Sequence, residues 1–147
     1  MYVRIYVIEC KSRNYYYVGT TVREMWVGGG QREKEHQEGW GSKFTTKHGF
    51  CRTMFVTLVS PGQASTLEND LTRWLMHKYG WKNASGGDYT NQRKDRLADR
   101  RWMPPEFRED PENPGPMPPP KFPTELNRLQ TLFLAETDEN AFKTKQP

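Results

Sequence analysis

Residues 2–20, YVRIYVIECKSRNYYYVGT, decide the fold. Residues 2–10 are mostly β-branched or aromatic and hold no breaker, which predicts a strand. Lys11–Asn14 is a polar turn, and residues 15–20 read as a second strand ending at Gly19. Two such runs joined by a short polar turn make an antiparallel hairpin. Both strands are more apolar than a half-solvated sheet requires, so helices are expected to cover them.

Working outward, residues 21–30 hold Trp26 and Gly28-Gly29-Gly30 and read as a flexible loop. QREKEHQE, residues 31–38, consists of strong helix formers and stops at Gly39. GWGSKFTTKHGF, residues 39–50, reads as a glycine-flanked basic loop, and RTMFVTLV, residues 52–59, as a third strand. A helix is predicted over 67–79, capped by Ser65 or Thr66. Leu67, Leu71, Trp74, Leu75 and Met76 fall on one face, and Gly80 closes it. Residues 83–90 read as a loop with a short edge strand. The order is β-β-α-β-α: an α/β class with a three-stranded, mostly antiparallel sheet flanked by helices.

Composition divides the chain. Residues 1–90 hold most of the apolar runs and carry twelve Lys/Arg against eight Asp/Glu. Residues 91–103 form a basic segment with helical potential, containing Arg93, Lys94, Arg96, Arg100 and Arg101. Residues 104–147 are a Pro-rich, acidic extension. Nine prolines between 104 and 123 predict an extended or disordered stretch, and a short amphipathic helix is expected at about 124–134. The net charge of +4 favours a polyanionic partner, because neutralising phosphates releases counterions. Cys10 and Cys51 lack metal-site spacing and read as reduced core residues. The N-terminal run is too short to span a bilayer and lacks a signal-peptide layout, so an intracellular protein is expected.

The two tyrosine strands resemble the paired motifs of the GIY-YIG nuclease family. Arg4-Ile5-Tyr6 stands where GIY is expected and Tyr17-Val18-Gly19 where YIG is expected; Thr20 follows where lysine is frequent. Arg32, His36 and Gly39 match the family's R-x-x-x-H-x-x-G. Residues 39–49, GWGSKFTTKHG, are similar to a loop of one subgroup, and residues 79–89, YGWKNASGGDY, to its closing segment. Glu68 stands where the family places a metal-binding glutamate. The resemblance covers residues 2–90 and implies a metal-dependent endonuclease that acts on double-stranded or branched DNA.

Phosphodiester hydrolysis needs a nucleophilic water, a base, charge neutralisation at phosphorus and help for the leaving oxygen. By the resemblance, Glu68 binds Mg²⁺ or Mn²⁺ through hard oxygens. Arg32 presents a permanent planar charge to the phosphate, with Arg23 as the alternative arginine. Tyr6 is assigned as the general base, with Tyr17 orienting the water or sharing the role. Arginine and metal charge are expected to lower the tyrosine pKa. His36 relays a proton or bonds the phosphate, and Asn83 positions phosphate or tyrosine. Lys43, Lys47, Arg93 and Lys94 are expected to contact the DNA backbone.

Each assignment has a plainer rival. Strand tyrosines usually pack, and Arg32 and His36 beside Glu33, Glu35 and Glu38 would suit a solvated helix face. Glu68 would suit a helix N-terminus, and Asn83 a turn. Three further functional readings are a nucleic-acid-binding module with a degenerate nuclease site, a nuclease subunit that needs a partner for targeting, and an adaptor working through its Pro-rich tail. No sequence-reading module is recognisable, so the DNA target is not legible.

Overall fold

The hairpin forms as expected and lies at the centre of the sheet. The computed structural model describes residues 2–90, 102–115 and 120–133. Strands β1 (Val3–Cys10) and β2 (Tyr16–Thr21) pair antiparallel, with Tyr6 opposite Gly19 and Ile8 opposite Tyr17. Helices α1 (Gln31–Gln37) and α2 (Lys43–His48) follow, then strand β3 (Phe50–Val59) on the far side of β1. The long helix α3 (Pro61–Tyr79) leads to β4 (Ala84–Gly86), and residues 127–133 form α4.

The class is α/β, but the sheet is four-stranded and mixed, in the order β3-β1-β2-β4 with β4 parallel to β2. The three residues of β4, Ala-Ser-Gly, carry no strand periodicity. They are small because β4 is wedged between β2 and α3: a Cβ on Gly86 would strike the Thr72 hydroxyl and the Val18 carbonyl.

Two helix boundaries differ from expectation. The basic loop 39–50 contains α2, which starts at a side-chain cap: Ser42 is extended and its Oγ accepts from Thr45 N at 3.0 Å. A six-residue helix is too short to show a period. Helix α3 starts at Pro61 rather than near Leu67, with Ser60 extended before it. Proline is a favoured first helical residue because its missing N–H is an orphan there in any case; in the sequence it reads as a break.

Strand alternation divides the core. Ile5, Val7, Tyr16 and Val18 face Leu67, Leu71 and Leu75 of α3. Tyr6 and Ile8 face the other way, with Met25, Tyr17, Phe50 and Val56 in a smaller cluster. Cys10 is buried as expected. Cys51 is exposed on edge strand β3, which corrects its reading as a core residue; both are free thiols.

The described residues after Thr90, the end of the basic segment and parts of the Pro-rich extension, are built into the main core rather than held apart. Trp102 packs on Trp81 at 5.9 Å between ring centroids, Phe107 on His77 at 4.8 Å and Phe122 on Trp74 at 5.0 Å. Phe133 on α4 reaches Tyr16, Phe55 and Trp74. The buried Glu106 carboxylate pairs with Arg73 and His77 on α3. Prolines set an extended path here, and the apolar residues among and after them dock it. Residues 91–101 lie outside the described residues, so the expected basic helix is not described. Among the described residues no helix is long and apolar enough to cross a membrane.

Phe133 is fully buried, so Phe133→Ala is expected to cost about 3–5 kcal/mol in urea unfolding. Truncation after Thr90 removes Trp102, Met103, Phe107, Phe122, Leu126 and Phe133 from the core. It is expected to abolish the cooperative thermal transition; a truncated chain melting like the full one would show the tail to be dispensable.

Candidate functional site

On the face opposite α3, side chains from β1, β2, α1 and α2 converge on one hydroxyl. Tyr6 is fully buried, and its oxygen lies 2.8 Å from His36 Nε2 and 3.3 Å from Arg32 Nε. Tyr17 lies beside it at 6.3 Å between ring centroids, half-buried, with its hydroxyl in reach of Ser42 and Arg32. The requirement for Gly19 is steric. Tyr6 lies across its strand partner, and a Cβ on Gly19 would strike the Tyr6 ring carbon and hydroxyl and the Tyr17 ring.

Helix α1 carries Arg32 and His36 on adjacent turns, aimed inward. It is not a solvated face: Glu33 is buried and tied down, accepting from Thr53 Oγ1 at 2.7 Å and from Gly28 N at 3.1 Å through Oε2, and from Gln37 at 3.2 Å through Oε1. Glu35 bridges Arg32 and Arg23. Arg32 is therefore the arginine at the tyrosines, and Arg23 reaches it only through Glu35.

His36 is held from behind by α2. Its Nδ1 lies 2.9 Å from Thr45 Oγ1, and Thr45 in turn bonds Ser42 Oγ at 2.9 Å and the Ser42 carbonyl at 3.2 Å. One proton assignment satisfies every member. Arg32 Nε donates to Tyr6, Tyr6 to His36 Nε2, His36 Nδ1 to Thr45, and Thr45 to the Ser42 carbonyl. Gly41 packs flat on the imidazole, where a Cβ would collide, and its carbonyl accepts from Arg32 at 3.4 Å. The buried Phe44 locks α2 down, stacking toward Tyr15, Tyr17 and His48. Ser42 and Thr45 were not singled out in the sequence. The Ser-x-x-Thr spacing before a short apolar position was the available signal.

The electrostatics differ from expectation. Burial, then the neighbouring Tyr17, hold the Tyr6 phenol well above the usual tyrosine range; the Arg32 charge pulls the other way and is outweighed. Tyr17 is raised by burial and then by Glu68. Burial, then Arg32, push His36 down to about 4. The resting cluster is thus a neutral phenol and a neutral imidazole beside one guanidinium.

Glu68 stands near the end of β2, within electrostatic reach of both tyrosines. It is the eighth residue of α3, beyond the first turn in which the helix dipole favours a carboxylate, which removes that rival reading. Its Oε1 accepts from Gly87 N at 2.8 Å, and the Thr20 hydroxyl also bonds it. Burial raises its pKa against those two donors. Thr20 thus serves Glu68, where the sequence showed only a missing lysine.

Lys43 and Lys47 are exposed one turn apart on α2. Asn83 ends the short 3-10 turn Trp81–Asn83 before β4, with its N–H donating to the Gly80 carbonyl at 3.1 Å. Arg93 and Lys94 lie outside the described residues. No family model, curated protein or solved structure matches this chain.

His36 gives a pH signature. An unfolded histidine binds its proton below about 6.5, while the folded one stays neutral down to about 4. The unfolded state holds more protons in that window, so the stability from neutral His36 is complete above it and lost as pH falls through it. The loss is expected to approach roughly 3 kcal/mol. Urea unfolding of wild type and His36→Gln at neutral and acidic pH checks this; equal slopes would refute it.

Proposed function

We propose that this protein is a metal-dependent DNA endonuclease of the GIY-YIG type, hydrolysing phosphodiester bonds. The observation that carries this reading is the Arg32–Tyr6–His36–Thr45 hydrogen-bond chain with Tyr17 and Glu68 beside it. A hairpin tyrosine needed only for packing would not require a glycine beneath its hydroxyl, a buried imidazole on one side of it and a guanidinium on the other.

Among the described residues there is no cluster of three or more His, Cys, Asp or Glu. The donor set fits a hard cation held by one carboxylate and retained waters, the arrangement Mg²⁺ tolerates well. Glu68 would hold Mg²⁺ or Mn²⁺, with Gly87 N–H and the Thr20 hydroxyl fixing its orientation. A bound divalent ion supplies charge that polarises a phosphate oxygen and stabilises the leaving oxygen.

Arg32 is placed to recruit substrate. Its bonds to Tyr6, Glu35 and Gly41 are 3.3, 3.3 and 3.4 Å, all at the weak end of the hydrogen-bond range. A phosphate offers the guanidinium shorter, charge-assisted bonds. Moving Arg32 onto the phosphate uncovers the Tyr6 hydroxyl and offsets the charge that disfavours protonated His36. The attacking water then gives its proton to Tyr6 as Tyr6 passes its own to His36 Nε2. The new oxygen–phosphorus bond forms, the bond to the leaving oxygen breaks, and the leaving oxygen takes a proton from solvent. Tyr17, nearer the surface, orients the water, and Lys43 and Lys47 contact flanking phosphates.

Purified protein with Mg²⁺ or Mn²⁺ is expected to nick supercoiled plasmid. Glu68→Ala, Tyr6→Phe and Arg32→Ala are each expected to lose at least about a hundredfold in rate. Thr45→Val, which leaves His36 Nδ1 unpaired, is expected to lose about tenfold in kcat with KM little changed. Failure to cut with any divalent ion would overturn the autonomous enzyme. A gel shift without cutting would identify a binding module with a degenerate site.

A further inference from the structure

One large aromatic side chain stands in water at the lip of this cluster. Trp40 is 79 % exposed, although its backbone is held on both sides. Its N–H donates to the Glu35 carbonyl at 2.7 Å, closing α1. Next to it, Gly41 is clamped between the His36 ring and Arg32. Gly39, before it, has φ +83, a left-handed turn that turns the chain outward. The indole therefore stands on a fixed pedestal. Trp26, also exposed, differs: its indole folds back over Gly29 of its own loop.

Beside Trp40 lies an open cavity of about 500 Å³ bounded by Ser42, Lys43, Thr46 and Lys47. The cavity thus has an aromatic wall and two exposed ammonium groups on successive turns. Leaving an indole in water forgoes the stabilisation that burying it would give. An aromatic plane next to lysines is the arrangement that binds single-stranded nucleic acid: bases stack on the ring, and the cations follow the phosphates. Gly41 is shared between this surface and Arg32, so a strand lying on one reaches the other.

We propose that Trp40, with Lys43 and Lys47, forms a stacking platform for an unpaired nucleobase of the DNA strand, so that the preferred substrate carries single-stranded or unstacked nucleotides beside the scissile phosphate. This rests on the nuclease reading above and narrows its substrate class. A duplex keeps its bases stacked inside and offers this ring only its backbone, so the platform discriminates between the two forms.

The test uses the full-length protein without divalent ions, a fluorescein-labelled oligothymidine, and a hairpin duplex of equal length, with affinity read by anisotropy across a salt series. Trp40→Ala is expected to weaken binding of the single strand about tenfold, with the salt slope unchanged because no phosphate contact is lost. Its effect on the duplex is expected to be much smaller, and Trp40→Phe to restore most of the single-strand affinity. Lys47→Ala is expected to lower the salt slope by about one. The exposure of Trp40 makes an unchanged melting temperature the expected folding control. Equal single-strand affinity for wild type and Trp40→Ala, or equal losses on both substrates, overturns the platform. Plasmid nicking run in parallel separates the two readings. Nicking with no Trp40-dependent discrimination sinks the platform alone, while Trp40-dependent single-strand binding without nicking sinks the nuclease and leaves the platform standing.

Discussion

Tyr6 lies across Gly19, and most of the candidate site is arranged around that contact. The strand register sets the two residues opposite each other, and the absent Cβ makes room for the phenol to cross β2 and present its hydroxyl to His36 and Arg32. A buried hydroxyl must find partners, because leaving it unsatisfied costs a sizeable desolvation penalty. Arg32 and His36 are those partners, and both come from α1. The seating of α1 on the sheet, secured by the buried Glu33 and its donors from Thr53, Gly28 and Gln37, is thus coupled to the geometry of the tyrosine.

The same burial sets the chemical state of the cluster. Desolvation favours neutral forms, raising the phenol and lowering the imidazole, and one guanidinium does not offset it at Tyr6. The resting site is therefore closed, with neutral Tyr6 and His36 beside Arg32, its ion-pair partner Glu35 and the nearby Glu68. Its activation, in the reading proposed, comes from the incoming phosphate drawing Arg32 away. A base kept under cover until substrate arrives is protected from solvent protons, and the cost is that Arg32 must be held loosely, as its long hydrogen bonds show.

The loop from Gly39 to Ser42 links this interior to the surface. Its backbone makes one bond to Arg32 and packs on His36, its serine caps α2, and α2 returns Thr45 to the imidazole. On the outer side of the same four residues stands Trp40. What touches the indole is therefore one residue from what holds Arg32, which is why a surface feature of this loop bears on the site at all.

The sequence by itself determined the elements whose signals are local. The hairpin follows from β-branched alternation around a polar turn, α1 from its helix formers, and most of α3 from its apolar face. Tyr6, Tyr17, Arg32, His36 and Glu68 were singled out through the family resemblance, whose motifs follow one another in order along the chain, and the fold brings the first four together. Only the tertiary structure decided the rest. Strand β4 has three small residues and exists because β2 and α3 leave a slot of that width. Helix α2 is one cap and one buried phenylalanine long. Trp102, Phe107 and Phe122 carry no period and are core only because α3 and its neighbours present somewhere to bury them, whereas Phe133 falls on the amphipathic helix that the sequence predicted. The direction of each pKa shift belongs to the same class. Arg32 beside Tyr6 suggests a lowered phenol when the residues are listed, and burial reverses it, because desolvation depends on everything packed around a group and not on its nearest charge.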